Sequence, residues 1–116
     1  KNDAQKEIAA LETYESAYKN SVKEMLALEV PQNYTNQYLE LINVFNNLGY
    51  AVSQMQEAFT DPAEAAVGIK EYLNQAERYG SWRVDILRAF KKDGVIFAKN
   101  DPAASLFGGQ FSQISQ

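Results

Sequence analysis

The sequence predicts an all-α fold, an antiparallel three-helix up-down-up bundle with a C-terminal segment packed along it. Three observations carry the prediction. Apolar residues recur three and four apart over three long stretches, short breaks containing proline separate those stretches, and no sustained period of two marks a strand. With 116 residues, 46% of them hydrophobic, the chain suits one domain with a single core.

The first helix is expected over 3–29. Ile8, Leu11, Tyr14, Tyr18, Val22, Met25 and Leu28 make its stripe. Val30-Pro31-Gln32-Asn33 ends it, because proline disfavours helical backbone in the residue before it, and Asn33 is a competent cap for the next helix. The second helix, over 34–60, has the most regular spacing: Tyr38, Leu41, Phe45, Leu48, Val52, Met55 and Phe59 alternate three and four apart, a coiled-coil-like seam.

Thr60-Asp61-Pro62-Ala63-Glu64 starts the third helix, over 62–92. Asp61 suits the N-cap, Pro62 the first turn, and Glu64 the reciprocal position of a capping box. The expected inner stripe takes in Ala65, Ala66, Ile69, Tyr72, Leu73, Ala76, Tyr79, Ile86, Leu87 and Phe90. Arg88, Lys91 and Lys92 complement the dipole at its end, and Gly94 supplies a left-handed stop. Residues 1–93 therefore form the bundle. In the C-terminal segment, 94–116, Val95 to Phe107 should pack back on the helices and the last residues should be loose.

Turns near 31 and 60–61 set Gly49 level with Tyr72, Ser53 with Gly68, and Leu41 with Gly80. A mid-helix glycine costs roughly 1 kcal/mol relative to alanine. Close helix approach, room for a facing ring, or a hinge would each account for one.

Composition removes several function classes. The chain has no cysteine and no histidine. Disulfide scaffolds, Cys/His zinc sites, thiol nucleophiles and imidazole-based dyads or triads are excluded, as is the Glu-x-x-His pair of a di-iron bundle. Nucleotide-binding glycine loops, a GxSxG elbow and an EF-hand loop are not found either. Glu12 and Glu15 share a helix face, but dense glutamates read as a solvated face, and Glu15 as a rim residue. No catalytic residue, metal site or cofactor is expected, and the chain is not expected to be an enzyme. A net charge of −4 argues against nucleic acid as a partner. No apolar run is long enough for a membrane span. The start at Lys1-Asn2-Asp3 suggests a processed protein or an excised domain cut near the beginning of a helix.

Helix two offers a candidate interface. No Lys or Arg lies between Lys23 and Lys70, and the face opposite the seam reads Asn36, Glu40, Asn43, Asn47, Tyr50, Gln54 and Glu57. Amides and a tyrosine are cheaper to desolvate than charges. Cover by the C-terminal segment, plain surface and an external protein partner remain the three readings of this face. Trp82 is expected to point away from the core centre as an interface anchor, or to pack on Phe97 or Phe107. Arg83 falls on the apolar stripe and needs a partner. Glu24 and Tyr38 are the candidates for a buried ion pair or anion site there.

Val30-Pro31-Gln32-Asn33-Tyr34-Thr35, Leu39, Asn43, Asp61-Pro62 and Gly94-Val95-Ile96-Phe97 together are similar to uncharacterised all-helical, envelope-associated proteins of candidate-phyla bacteria, over about residues 25–107. That resemblance implies an extracytoplasmic setting, in the envelope or secreted, and carries over no catalytic residues. The expected function is a non-enzymatic interaction or structural module of a larger exported protein, acting by protein partnership or self-association. The alternative is a small-molecule sensing bundle with a site near Gly49, Gly80 and Arg83.

Overall fold

The computed structural model describes residues 2–95, with side chains from Asp3 onward. The expected packing of Ile96 to Phe107 and the looseness of the last residues fall outside the described residues. Among those described, the secondary structure is entirely helical: α1 (Asn2–Ala27), a 3-10 turn (Gln32–Tyr34), α2 (Thr35–Met55) and α3 (Pro62–Asp93). No described helix is long and apolar enough to cross a membrane. The chain divides into two compact units, Lys1–Tyr79 and Gly80–Gln116.

The first unit holds the up-down-up arrangement. Tyr38 Oη on α2 donates to the Met25 carbonyl on α1 at 2.7 Å, and Gln56 Nε2 donates to Glu15 Oε1 at 2.8 Å. Low-numbered residues of α1 thus meet high-numbered residues of α2, as antiparallel packing requires. Gly68 on α3 lies against Ala51, Gln54 and Met55 of α2, within two residues of the expected Ser53 level. α2 is the central element. Leu41, Ile42, Val44, Leu48, Gly49, Ala51 and Val52 are all buried, a wider face than a two-helix seam would need.

The start of α3 is as the sequence predicts, with one variation. Asp61 Oδ1 accepts the Glu64 N–H at 3.1 Å. The Asp61 N–H donates instead to the Glu57 carbonyl at 2.6 Å. The upstream turn therefore satisfies the donor that Glu64 would serve in a full capping box. At the other end, Gly94 adopts φ +74°. Its N–H reaches the Lys91 carbonyl at 3.3 Å and the Val95 N–H reaches Phe90 at 2.8 Å, the paired bonds of a Schellman stop.

Two expectations are corrected. α2 ends at Met55 and not near residue 60. Residues 56–60 curl into turns, Glu57 N–H bonding the Gln54 carbonyl at 3.0 Å and Thr60 N–H the Glu57 carbonyl at 3.0 Å. This early tightening sends the chain back to place Gly68 on the last turns of α2. Phe59, expected on the seam, is 62% exposed. The inner stripe of α3 is also narrower than expected, although Ile86, Leu87 and Phe90 are buried or half-buried as the spacing predicts. Ala65, Gly68 and Gln75 are buried and Tyr72 and Tyr79 half-buried, whereas Ala66, Ile69, Leu73 and Ala76 are exposed.

Polar groups on the inner rows are provided for. Gln75, 5% exposed, donates to Glu71 Oε2 at 2.7 Å, and its carbonyl accepts from Arg78 at 3.2 Å. Both ends of a buried amide are thereby satisfied. On α1, Glu15 takes the row position between Leu11 and Tyr18, while Tyr14 is 60% exposed.

Candidate functional site

An aromatic chain ties the three helices of the first unit. Tyr18 packs edge-on against Phe45 at 5.8 Å and against Tyr72 at 6.3 Å, and Phe45 meets Tyr79 at 5.8 Å. The Tyr18 and Tyr72 hydroxyls share a 2.7 Å hydrogen bond. Burial, then the bond to Tyr72, pushes the Tyr18 phenol well above its ordinary range. Burial raises Tyr38 as well. These hydroxyls bond within the protein. Gly49 is part of the same packing: a Cβ there would lie 3.3 Å from Tyr18 Cβ.

Outside this core, three surfaces stand out. The first is the outer face of α2. Asn36, Asn43 and Tyr50 are exposed, and Asn47 and Gln54 half-buried, so the face expected to meet a partner does lie at the surface. Gln54 also packs its Cβ toward Gly68. Beside Tyr50 runs a groove of about 260 Å³ lined by Glu15, Lys19, Phe45, Asn46, Gly49 and Ser53. Lys19 Nζ sits 2.7 Å from Glu15 Oε2 at its edge. The Lys19 bond, followed by that from Gln56, holds the Glu15 carboxyl below its ordinary range. The groove is shallow and smaller than the roughly 300–1,000 Å³ of ordinary ligand pockets.

The second surface lies where α1 meets α2. Met25, Leu26, Leu28, Val30, Tyr38, Leu39 and Ile42 line an open groove of about 230 Å³ with Thr35. Leu26 and Leu28 are each 65% exposed there. The third surface is the outer row of α3. Ile69 is 51% exposed, Leu73 63% and the adjoining Val67 57%, between exposed Ala66 and Ala76. The sequence places this row in a broad inner stripe together with Ala65, Tyr72 and Tyr79, and the structure buries only the latter side.

The remaining expected site residues fall in both units. Trp82 is 5% exposed, so it is no surface anchor, and its expected alternative, packing on Phe97 or Phe107, falls outside the described residues. The spacing of Trp82, three after Tyr79 and four before Ile86, was the available signal. Glu24 is exposed on α1, and Tyr38 already gives its proton to Met25, so neither supplies a buried anion. Arg83 is half-buried in the second unit. The positions expected near a small-molecule site belong to both units, Gly49 to the first and Gly80 and Arg83 to the second. Tyr18 occupies the space at Gly49, Leu41 is 1% exposed, and nothing lies within 4 Å of a Cβ at Gly80. Among the described residues no group of three carboxylates is placed to hold a metal ion.

Comparison with known proteins adds no relative: no family model, no curated protein and no solved structure matches this chain.

Proposed function

We propose that this chain is a non-enzymatic helical interaction module of an exported or envelope-associated protein, meeting its protein partner through α3. The observation that carries the reading is the outer row of that helix. Ile69 and Leu73 are more than half exposed at helical spacing, flanked by Ala66 and Ala76. Scattered exposed apolar residues are ordinary, but a contiguous row on one helix face is typical of a docking surface. The alanines let another backbone approach while the two large residues supply the buried area. The apolar groove at Leu26 and Leu28 provides further contact surface of the same character. The extracytoplasmic setting is supported by the resemblance carried by Val30 to Thr35 and Asp61-Pro62.

Thermal unfolding of a dilute Ile69→Gln/Leu73→Gln double variant tests this reading. A docking row leaves Tm within about 8 °C, because two exposed substitutions seldom exceed about 0.5 kcal/mol each. The variant should also lose binding of an apolar fluorescent dye. A fall of 10 °C or more would show that the row is core of the chain itself and would refute the interface.

A further inference from the structure

We infer that the partner of the α3 row is a second copy of this chain, the two helices pairing antiparallel through Ala66, Ile69, Leu73 and Ala76. The inference rests on the proposed function above and names its partner. It comes from the charges that flank the row. Lys70 and Glu77 are both exposed and lie seven residues apart, one heptad, on the same side of the row. Neither has an ion-pair partner among the described residues. The opposite flank is taken by Tyr72 and Tyr79, which are half-buried within the first unit.

This asymmetry selects a geometry. Parallel pairing sets the Lys70/Glu77 flank of one helix against the Tyr72/Tyr79 flank of the other, leaving both charges without a counterpart. Antiparallel pairing sets like flank against like flank. With the two-fold axis near Leu73 and Asn74, Lys70 of each copy lies level with Glu77 of the other, so two ion pairs form by symmetry. The row is self-complementary in the same register, since each Leu73 descends beside the small Ala76 of the second copy. A helix pair of about three turns is a modest interface, so a weak, reversible and salt-sensitive dimer is expected.

Sedimentation equilibrium on the full 116-residue chain, over a concentration series and at two salt concentrations, tests the inference. The weight-average mass should rise from 13.0 kDa toward twice that value and fall back with salt. Lys70→Glu and Glu77→Lys should each weaken the dimer by about fivefold or more. The double charge swap should restore it, because the two pairs are re-formed with signs exchanged. Single reversals without effect, or a swap that fails to rescue, would overturn the antiparallel pairing. A chain that stays at 13.0 kDa throughout would overturn the second copy as partner. If the glutamine double variant still unfolds like the parent, the docking row itself survives that result.

Discussion

Alanine at Gly68 would put a methyl group where α2 and α3 already touch. Its Cβ would lie 2.7 Å from Gln54 Cβ, 2.8 Å from the Ala51 carbonyl oxygen and 3.1 Å from the Met55 nitrogen. Ordinary carbon contacts fall at about 3.5–4.0 Å, so the closest approach is short by roughly 0.8 Å. Two of the three neighbours are backbone atoms of a helix, which cannot turn aside as a side-chain end can. The helices must separate locally, and overpacking of this kind costs about 1–3 kcal/mol. Gaining alanine in a helix returns up to about 1 kcal/mol. The net expectation is a loss of about 1–2 kcal/mol, or roughly 5–15 °C in Tm for a domain of this size. Gly80 is the internal control: nothing lies within 4 Å of its Cβ. There the same substitution should stabilise by about 0.5–1 kcal/mol. Urea unfolding followed by far-ultraviolet circular dichroism reads both. Equal stabilisation by the two alanines would refute the claim that Gly68 is held by helix approach.

Other consequences can be measured with the same assay. Asp61→Ala removes the acceptor for the Glu64 N–H and should cost about 1 kcal/mol, while Asp61→Asn should retain most of it. Gln75→Leu keeps the side-chain volume and removes a buried amide. Because Glu71 and Arg78 can turn to solvent, it should be neutral or stabilising by up to about 1 kcal/mol; a loss above that would mean the Glu71–Gln75–Arg78 chain contributes as a unit. Glu15 has a lowered folded pKa, so its contribution is present above the ordinary glutamate value near 4.3 and is lost as pH falls through the folded value. With Lys19 largely exposed, that contribution is under about 1 kcal/mol. Glu15→Gln should flatten the acid limb of the stability profile by this amount; an unchanged limb would remove Glu15 from the account.

Helix boundaries were the most legible part of the fold, because their causes are local. Asp61-Pro62 and Gly94 each act on adjacent backbone and start or stop α3 where expected, whereas α1 ends at Ala27, short of residue 29, and Asn33 lies in the 3-10 turn instead of capping α2. The end of α2 was not legible. Nothing local prevents Gln56 to Thr60 from continuing the helix, and it is the return of α3 onto Ala51 and Gln54 that turns them aside. The outer part of the α3 stripe, Ala66, Ile69, Leu73 and Ala76, is exposed for a related reason. Hydrophobicity favoured Ile69 and Leu73, but contact with the backbone of α2 requires the smallest residue, and Gly68 brings Gln75 inward with it. The candidate surface is accordingly the row that sequence reasoning assigned to the core. On the α2 face Asn36, Asn43 and Tyr50 are exposed, opposite a seam that the spacing of Leu41, Leu48 and Val52 made legible.

Burial of Trp82 has an optical consequence. It is the sole tryptophan of the chain and belongs to the unit that begins at Gly80. The edge-packed and tilted rings of Tyr18, Phe45, Tyr72 and Tyr79 belong wholly to the other. Excitation at the red edge of the indole band therefore reports on one unit, through the shift of its emission as the ring meets water. Near-ultraviolet dichroism of the tyrosines reports on the other. A single denaturant titration read at two wavelengths will show one shared midpoint if the helix that joins the units melts as a whole, and two midpoints if it frays near Gly80.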